Sequence, residues 1–381
     1  MDKTAFPQTE AIALNEPTIT QTVLFSDMAD RPLIATFDQP HASSDGGAIL
    51  LKAADRRLGL LAALTATVPD ARAGARVTHG VGDLLAQRVF AIACGHPDGN
   101  DADRLADDPI HKLLLGRDPI DGSRLASQPT ISRFEHTAAP RMLLQMSAAL
   151  ADTVIARHRR RRRGVRLITI DIDATEDQTH GAQQLTFFNG FYDHWCYLPL
   201  VASLTFDAEA RQYLVAAILR PGHAAGTAGA VSLLHRLLPK LWRAFPGARL
   251  RVRLDGGFAT PEIFAHLEAA GVEYVVAMAG NAVLARHAEP SIAPLRAVVA
   301  TTHETATTYA AAAYQAGSWE APRRAIIKAE VVWHHGREPR DNPRFVITNL
   351  PQTPEWIYTH VYCARGDSRS EEHTSELQSQ R

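Results

Sequence analysis

Two short apolar runs that end in aspartate limit most strongly what this chain can fold into. "LITIDID" ends at Asp173, and "RVRLD" ends at Asp255. Runs this rich in Val, Ile and Leu are typical of β-strands, in which Asp171 and Asp173 would point to the same face. A buried carboxylate is costly unless it is paired or binds a metal. The two runs therefore predict a polar site at the ends of two core strands.

Composition argues against a membrane protein, a secreted protein and a disulfide-rich or zinc-cluster protein. The chain has 381 residues, of which 46% are hydrophobic and 21% charged, and this is ordinary for a globular protein. Its three cysteines are far apart and form no C-x-x-C, which argues against a zinc cluster or a disulfide framework. There is no apolar run of the roughly 20 residues that a membrane span needs, and "MDKTAFPQTE" lacks a signal-peptide core. We expect a soluble cytoplasmic protein.

The order of helical and strand patterns predicts an α/β sheet. From about residue 44 to 158, apolar residues recur at helical spacing. After Gly164, five strands are predicted, with one helix before the fourth and one before the fifth, as in a mixed α/β sheet. The first helix carries apolar residues from Leu233 to Trp242 on one face, and Pro239 should kink it. The strand patterns are "VRLITIDID", "CYLPLVASLTFD", "QYLVAAILR", "RLRVRLDGG" and "EYVVAMAG".

Two further stretches bear on binding. The run "RHRRRRRG" is dense in guanidinium groups and suits a DNA backbone, with a solvated interdomain linker as the alternative. The stretch "FFNGFYDHWCYLP" predicts a β-hairpin with Asn189-Gly190 as its turn and the aromatic side chains in its core. The candidate nucleic-acid-binding residues are Arg157, Arg159, Arg160, Arg161, Arg162 and Arg163.

The acids at the strand ends fit a site for a hard cation. Ligands of open α/β sheets collect at the carboxyl ends of the strands, and Mg²⁺ prefers oxygen donors. Asp173 and Asp255 are the candidate metal ligands, and two such ions can support an in-line phosphodiester displacement. Asp171 either supports this site or pairs with a cation. The alternative is that each aspartate only caps the turn that follows it.

Several stretches, taken in order, resemble the transposase DDE domain group 1, in the branch of bacterial insertion sequences called family thirteen-eighty. They extend from about Ser43 to Asp367, and the ordered set is specific although no single stretch is. These stretches are "SSDGGAILL", "RVFAIACGHPDGNDADRLADDP", "LASQPTISRFE", "DIDATEDQTHG", "FFNGFYDHWCYLPL", "ILRPGHAAG", "RVRLDGGF", "YVVAMAGNA" and "VYCARGD".

The resemblance implies a DNA transposase with an RNase H-like core. Two aspartates and one glutamate would bind Mg²⁺ or Mn²⁺, cut the terminal repeats in double-stranded DNA and join the freed 3′-hydroxyl to a target. The first acid falls on Asp173, in an Asp-x-Thr unit with Thr175, and Asp171 is the second choice. The second acid falls on Asp255. A homodimer in the synaptic complex and association with the nucleoid are implied as well.

The same resemblance implies a division of the chain into segments. The expected parts are an irregular segment (1–42), a helical domain for recognising DNA ends (43–163), the RNase H-like core (164–280), a β-rich insertion (281–350), the start of the last core segment (351–368) and a non-native tail (369–381).

The third acid is where the sequence departs from the family pattern. That pattern is Tyr, two residues, Arg, three residues, Glu; Tyr362 and Arg365 match it, but Arg369 replaces the glutamate. From there "RSEEHTSELQS" matches a translation of a widely used sequencing-library adapter. We therefore interpret the tail as adapter-like, give no role to Glu371, Glu372 or Glu376, and expect a truncated, inactive chain that is disordered after about Ser368.

Two other functions remain as alternatives. The first is a DNA-binding remnant of a transposase without catalysis, which the missing glutamate favours for this molecule. The second is a glycosidase that uses the two aspartates as acid and base. It would need no metal and would show an aromatic-lined cleft for sugars. The dense arginines and the strand-end position of the acids disfavour it.

Overall fold

The computed structural model describes residues 22–24, 33–35, 41–72, 74, 77–161, 164–181 and 183–368. Two compact units are present: Met1–Arg57 with Asp70–Ala138, and Leu58–Pro69 with Ala139–Arg381. Most of the predicted irregular segment, and the predicted disorder after Ser368, lie outside the described residues.

The smaller unit is mostly helical. Its core is formed by Leu84, Ala102, Ala126 and Ile131. The buried Gln87 side chain donates to the Ala126 carbonyl (2.8 Å) and accepts from the Ala126 N–H (3.0 Å), so its amide is satisfied inside that core. The elements are β1 (Thr22–Leu24) antiparallel to β2 (Leu33–Ala35), α1 (Ala48–Leu58), α3 (Val81–Ala93), α4 (Asp101–Leu105), α5 (Pro109–Leu114) and α6 (Gln128–Glu135).

The larger unit is built on one mixed sheet. Its helices are α2 (Leu60–Thr65), α7 (Pro140–Arg161), α8 (Ala230–Ala244), α9 (Pro261–Ala269), α10 (Ala282–Thr302) and the short turn α11 (Pro354–Trp356). Its strands are β3 (Leu167–Ala174), β4 (Asp177–Gln178), β5 (Phe187–Asn189), β6 (His194–Tyr197), β7 (Leu200–Phe206), β8 (Tyr213–Ile218), β9 (Arg249–Leu254), β10 (Glu273–Met278), β11 (Ala306–Tyr314), β12 (Arg323–Val332), β13 (Arg340–Asp341) and β14 (Arg344–Thr348).

The strand order identifies the fold of this unit. The sheet runs β11-β12-β14-β10-β9-β3-β7-β8, with β13 on β12. Strands β3, β9 and β10 are parallel, whereas β7 is antiparallel to both β3 and β8. Five strands in the spatial order 3-2-1-4-5, with the second reversed, form the RNase H-like arrangement. The predicted fold class, a mixed α/β sheet with flanking helices, is therefore confirmed.

Alternation along β3 places its two acids on the face of the strand opposite its isoleucines. Ile168, Ile170 and Ile172 are fully buried, and they share one core with the leucines of α8. Because side chains alternate along a strand, Asp171 and Asp173 point to the opposite face. The buried leucines of α8 are Leu233, Leu234, Leu237, Leu238 and Leu241, as the helical pattern predicts. Trp242, predicted on the same face, is instead 38% exposed.

Two parts of this unit differ from the sequence-based expectation. Helix α10 occupies the start of the predicted β-rich region, with Leu284, Ala288 and Ile292 buried at a spacing of four. Its two prolines, Pro290 and Pro294, are exposed. Because proline disfavours the interior of a helix, they argue against a helix when only the sequence is considered. The strands that follow extend the central sheet through the antiparallel pairing of β14 with β10.

Helix α7 belongs to the larger unit. It packs on β8, and its His158 ring stacks on Phe206, the last residue of β7, with ring centroids 3.8 Å apart. Among the described residues, no helix is both long and apolar enough to cross a membrane.

Candidate active site

The pairing of β3 with β9 brings the two predicted acids to one edge of the sheet. The strands are parallel, and Asp171 lies opposite Arg253. Two residues further along each strand come Asp173 and Asp255, so both acids lie on the same face at the carboxyl ends. This is the edge at which ligands of open α/β sheets bind.

Asp255 ends its strand and caps the turn that follows. Its Oδ1 accepts a hydrogen bond from the Gly257 N–H at 2.8 Å, at the start of a 3₁₀ turn, Gly256–Phe258. A Cβ on Gly257 would lie 3.1 Å from that oxygen, so the glycine allows the close approach. Oδ1 of Asp255 therefore does cap the turn, as the capping alternative expects, while Oδ2 lies 3.7 Å from Arg365 Nη2.

Arg365 joins the two carboxylates. Its Nη2 lies 2.8 Å from Asp173 Oδ1 and 3.7 Å from Asp255 Oδ2, so these two oxygens are no farther apart than the sum of those distances. The arginine is 10% exposed and comes from the helical stretch that continues α11 as a π-helix, Ile357–Tyr362, and a 3₁₀ helix, Cys363–Ser368. The structure thus brings Asp173, Asp255 and Arg365 together.

The electrostatics of this cluster favour a bound cation. Burial raises the pKa of the Asp255 carboxyl; the Arg365 guanidinium opposes that shift, and the neighbouring Asp173 carboxyl adds to it. Two carboxylates that share a site repel each other, and an added positive charge relieves the repulsion. The arrangement can therefore hold a cation that takes oxygen ligands.

Asp171 has a different partner. Both of its oxygens accept hydrogen bonds from Arg253, from Nε and Nη2 at 2.7 Å each, and both side chains are buried. Nη1 of Arg253 donates to the Val361 carbonyl at 2.9 Å. This bidentate pair fixes the strand to the C-terminal helical stretch. The role of Arg253 could have been read from the sequence, because it precedes Asp255 by the same two residues that separate Asp171 from Asp173.

The other predicted supporting residues lie around this cluster. Thr175 is exposed, and its backbone N–H donates to the Pro199 carbonyl at 3.0 Å. The ring of Tyr362 packs 5.3 Å from that of Tyr358, in a small apolar cluster under the helical stretch. Arg369 lies outside the described residues.

The arginine run is not near the acids. Arg159, Arg160 and Arg161 are exposed on the last turn of α7, which leads into the start of β3. The acids lie at the other end of that strand, about 20 Å away at the usual rise per residue. Arg157 lies over the Tyr213 ring, 5.8 Å from its centroid. Arg162 and Arg163 are outside the described residues.

The predicted hairpin exists, but its turn and its core differ from the expectation. Strands β5 and β6 pair at Asn189 and His194, so the connection is four residues long instead of two. The predicted aromatic core is wrong, because Phe188, Phe191 and Trp195 are 51%, 87% and 56% exposed. The hairpin belongs to a small sheet of three short strands, β4-β6-β5, which is too small to bury these rings by itself.

The hairpin is nevertheless firmly attached next to the acids. Strand β4, which pairs with β6, begins four residues after Asp173. Asn189 donates from Nδ2 to the Gly222 carbonyl at 2.8 Å. A Cβ on Gly222 would lie 2.1 Å from the Cys196 carbonyl oxygen, so only glycine permits this approach.

Comparison with known proteins identifies the family. The family model described as transposase DDE domain group 1 matches residues 25–380. The chain belongs to this family. The matched range includes most of the segment interpreted as an adapter-like tail, so that interpretation remains a prediction. Among curated proteins none matches the chain.

Solved structures of transposases are similar to the chain only at a low level. A piggyBac transposase synaptic complex with hairpin DNA is 11% identical, with 90% of this chain and 70% of that chain covered and a TM-score of 0.36. A Mos1 paired-end complex with the left transposon end is 13% identical, with 46% and 57% covered and a TM-score of 0.19. The family assignment does not depend on these likenesses.

The buried pair of Asp171 and Arg253 should be essential for stability. We expect Asp171→Asn to lower the free energy of unfolding by about 3–5 kcal/mol, because it leaves the arginine charge buried without its partner. Urea denaturation followed by circular dichroism measures this. The control is Asp152→Asn, which breaks the exposed pair with Lys240 and should cost less than about 1 kcal/mol. Equal losses in both variants would show that the buried pair has no special weight.

Proposed function

We propose that the chain comes from a bacterial insertion sequence of family thirteen-eighty, and that Asp173 and Asp255 are its first two metal-binding acids. The parent enzyme cuts transposon ends in double-stranded DNA and joins the 3′-hydroxyl to target DNA. The observation that carries this proposal is the meeting of the two carboxylates at the carboxyl ends of parallel neighbouring strands, together with membership of the transposase family.

The residues present fit a divalent metal ion. All side-chain donors at the pair are carboxylate oxygens, which Mg²⁺ and Mn²⁺ prefer. A guanidinium already contacts both carboxylates, and the raised pKa of Asp255 reflects burial and the neighbouring acid. When bound, the ion would neutralise charge on the phosphodiester being cut.

The remaining residues of the site position these acids. Arg253 holds Asp171 and the Val361 carbonyl, which fixes the C-terminal helical stretch against β3. Arg365 balances the charge of the acid pair and holds that stretch over the strand ends. In this proposal neither arginine touches DNA, and both act through the carboxylates.

We also propose that this chain, as written, does not cut DNA. The position of the third acid in the family pattern holds Arg369. Without that carboxylate one ion loses a ligand, and a second guanidinium adds repulsion. The chain is then a non-catalytic DNA-binding remnant, which is the second candidate function. Dimerisation in the synaptic complex and a location at the nucleoid belong to the same proposal.

Two surfaces are proposed to contact DNA. The exposed arginines at the end of α7 suit the phosphate backbone, where released counterions supply affinity. The exposed rings of Phe188, Phe191 and Trp195 suit stacking on unpaired bases, which contributes about 1–3 kcal/mol per base in other proteins. The hairpin follows directly after Asp173, which would put such bases near the acids.

Metal binding tests the acid pair directly. We expect millimolar Mn²⁺ to raise the melting temperature of the purified chain, because the ion relieves the repulsion between the two carboxylates. Asp173→Asn and Asp255→Asn should each lose most of that shift, whereas Asp152→Asn on α7 should keep it. A shift that persists in both acid variants would contradict the assignment of these ligands.

A nicking assay tests the proposed inactivity. With duplex DNA from the flanks of the gene, we expect no cleavage by the chain in Mg²⁺ or Mn²⁺. Resequencing the locus should recover an uninterrupted gene that encodes Glu at position 369. The protein made from that gene should cut the DNA, and its Asp173→Asn variant should not. Robust metal-dependent nicking by the chain as written would refute the inactivity and leave the remnant hypothesis without support.

Salt dependence tests the binding of DNA by α7. Replacing Arg159, Arg160 and Arg161 by alanine should flatten the plot of log affinity against log salt, by about 0.9 for each phosphate that the variant no longer neutralises. Fluorescence anisotropy with labelled duplex DNA measures the slope. The control replaces three exposed arginines elsewhere in the same unit, Arg236, Arg243 and Arg286. An equal change in both triple variants would show only a general charge effect.

A further inference from the structure

A second group of metal-ligating side chains lies in the helical unit. The ligand atoms of Asp45, His96 and His111 all lie within 4.8 Å of one another. They come from three separate segments of the smaller unit: the turn before α1, the loop after α3, and α5. The proposed transposase function does not use these residues.

The two histidines converge on one carboxylate oxygen of Asp45. Oδ2 of Asp45 lies 2.9 Å from Nε2 of His96 and 2.9 Å from Nε2 of His111. The two imidazole rings are tilted by 60°, with centroids 6.1 Å apart. Two imidazole nitrogens and a carboxylate oxygen thus face one point from different directions, as the protein ligands of a four-coordinate metal do.

The ligand atoms of this cluster lie largely away from solvent. The His111 side chain is 0% exposed, and within the described part of the chain nothing hydrogen-bonds to its Nδ1. The buried imidazole therefore meets the cluster through Nε2, and that nitrogen is directed at Asp45. Asp45 and His96, at 10% and 15% exposed, leave a narrow path from solvent to the ligand atoms.

Local hydrogen bonds position Asp45 and His111. Oδ1 of Asp45 accepts from the Ser44 hydroxyl at 3.1 Å, which leaves Oδ2 directed at the histidines. Asp108 caps α5 by accepting from the His111 N–H at 3.0 Å.

His96 is turned back toward the others at the end of α3. Gly95 has a φ of +89°, which favours glycine, and the His96 N–H donates to the Ala91 carbonyl at 2.9 Å. A metal on Nε2 moves the ring proton to Nδ1, which lies 3.1 Å from Arg104 Nη2. Because Arg104 is 66% exposed, its side chain can turn away at little cost.

We propose that Asp45, His96 and His111 bind Zn²⁺ and that this ion holds the three segments together. Two nitrogens and one carboxylate suit zinc and leave one position for water, whereas Mg²⁺ would prefer oxygen donors. The ligands are 51 and 66 residues apart along the chain, so the ion closes long loops and stabilises the unit. The role is structural and independent of the acid pair at the strand ends.

Metal analysis of the full chain tests the proposal. Produced without a histidine tag in zinc-supplemented medium, the chain should retain about one zinc ion, as a site with three protein ligands does. His96→Gln and Asp45→Asn should lose it, and His136→Gln, an exposed histidine of the same unit, should keep it. Asp173→Asn should also keep it, which separates this site from the acid pair.

Two further measurements guard against variants that fail to fold. Removing zinc from the wild-type chain with a chelator should lower its melting temperature, and Zn²⁺, but not Mg²⁺, should restore it. Replacement by Co²⁺ should give the strong visible absorption of tetrahedral cobalt. If the folded wild-type chain holds no zinc, gains no stability from it and shows no such absorption, the three residues are only a hydrogen-bonded cluster.

Discussion

The parallel pairing of β3 with β9 is the constraint on which the rest of the larger unit depends. Its register places Asp171 opposite Arg253, and the same offset puts Asp173 beside Asp255 two residues later. A slip by one residue would move every acid to the face that the isoleucines occupy. The buried ion pair therefore also specifies the register of β3 on β9, because Asp171 and Arg253 lie opposite each other in this register only.

The same pairing recruits the C-terminal helical stretch. Arg253 reaches from β9 to the Val361 carbonyl, while Arg365 reaches back from that stretch to the two carboxylates. These interactions join segments that are far apart in sequence, and they all lie on the polar face of β3. The apolar face, with Ile168 and its neighbours, binds the sheet to α8. Because its side chains alternate between two faces, β3 contributes to the apolar core on one face and to the acid site on the other.

The sequence indicates the parts of this structure that local patterns determine. Alternation and β-branched residues predict the five core strands, and the strand-end aspartates predict the edge where Asp173 and Asp255 meet. The exposed prolines of α10 concealed a helix whose buried face depends on tertiary packing. The aromatic residues of the hairpin were predicted to form a core because the sequence shows how many they are. It does not show how small their sheet is. The site of Asp45 and two histidines joins distant segments, which no local spacing reveals.

Charge balance explains why the third acid matters to the proposed transposase site. The pair of Asp173 and Asp255 with Arg365 carries a net charge of about −1 when both acids are ionised, and a glutamate at the family position would make it about −2. That deficit is what divalent ions satisfy. In an α-helix the family spacing of four residues from arginine to glutamate is about one turn, which would put both side chains on one face. With arginine at position 369 the third carboxylate is missing, so the two aspartates would hold a divalent ion less tightly than a full set of three acids.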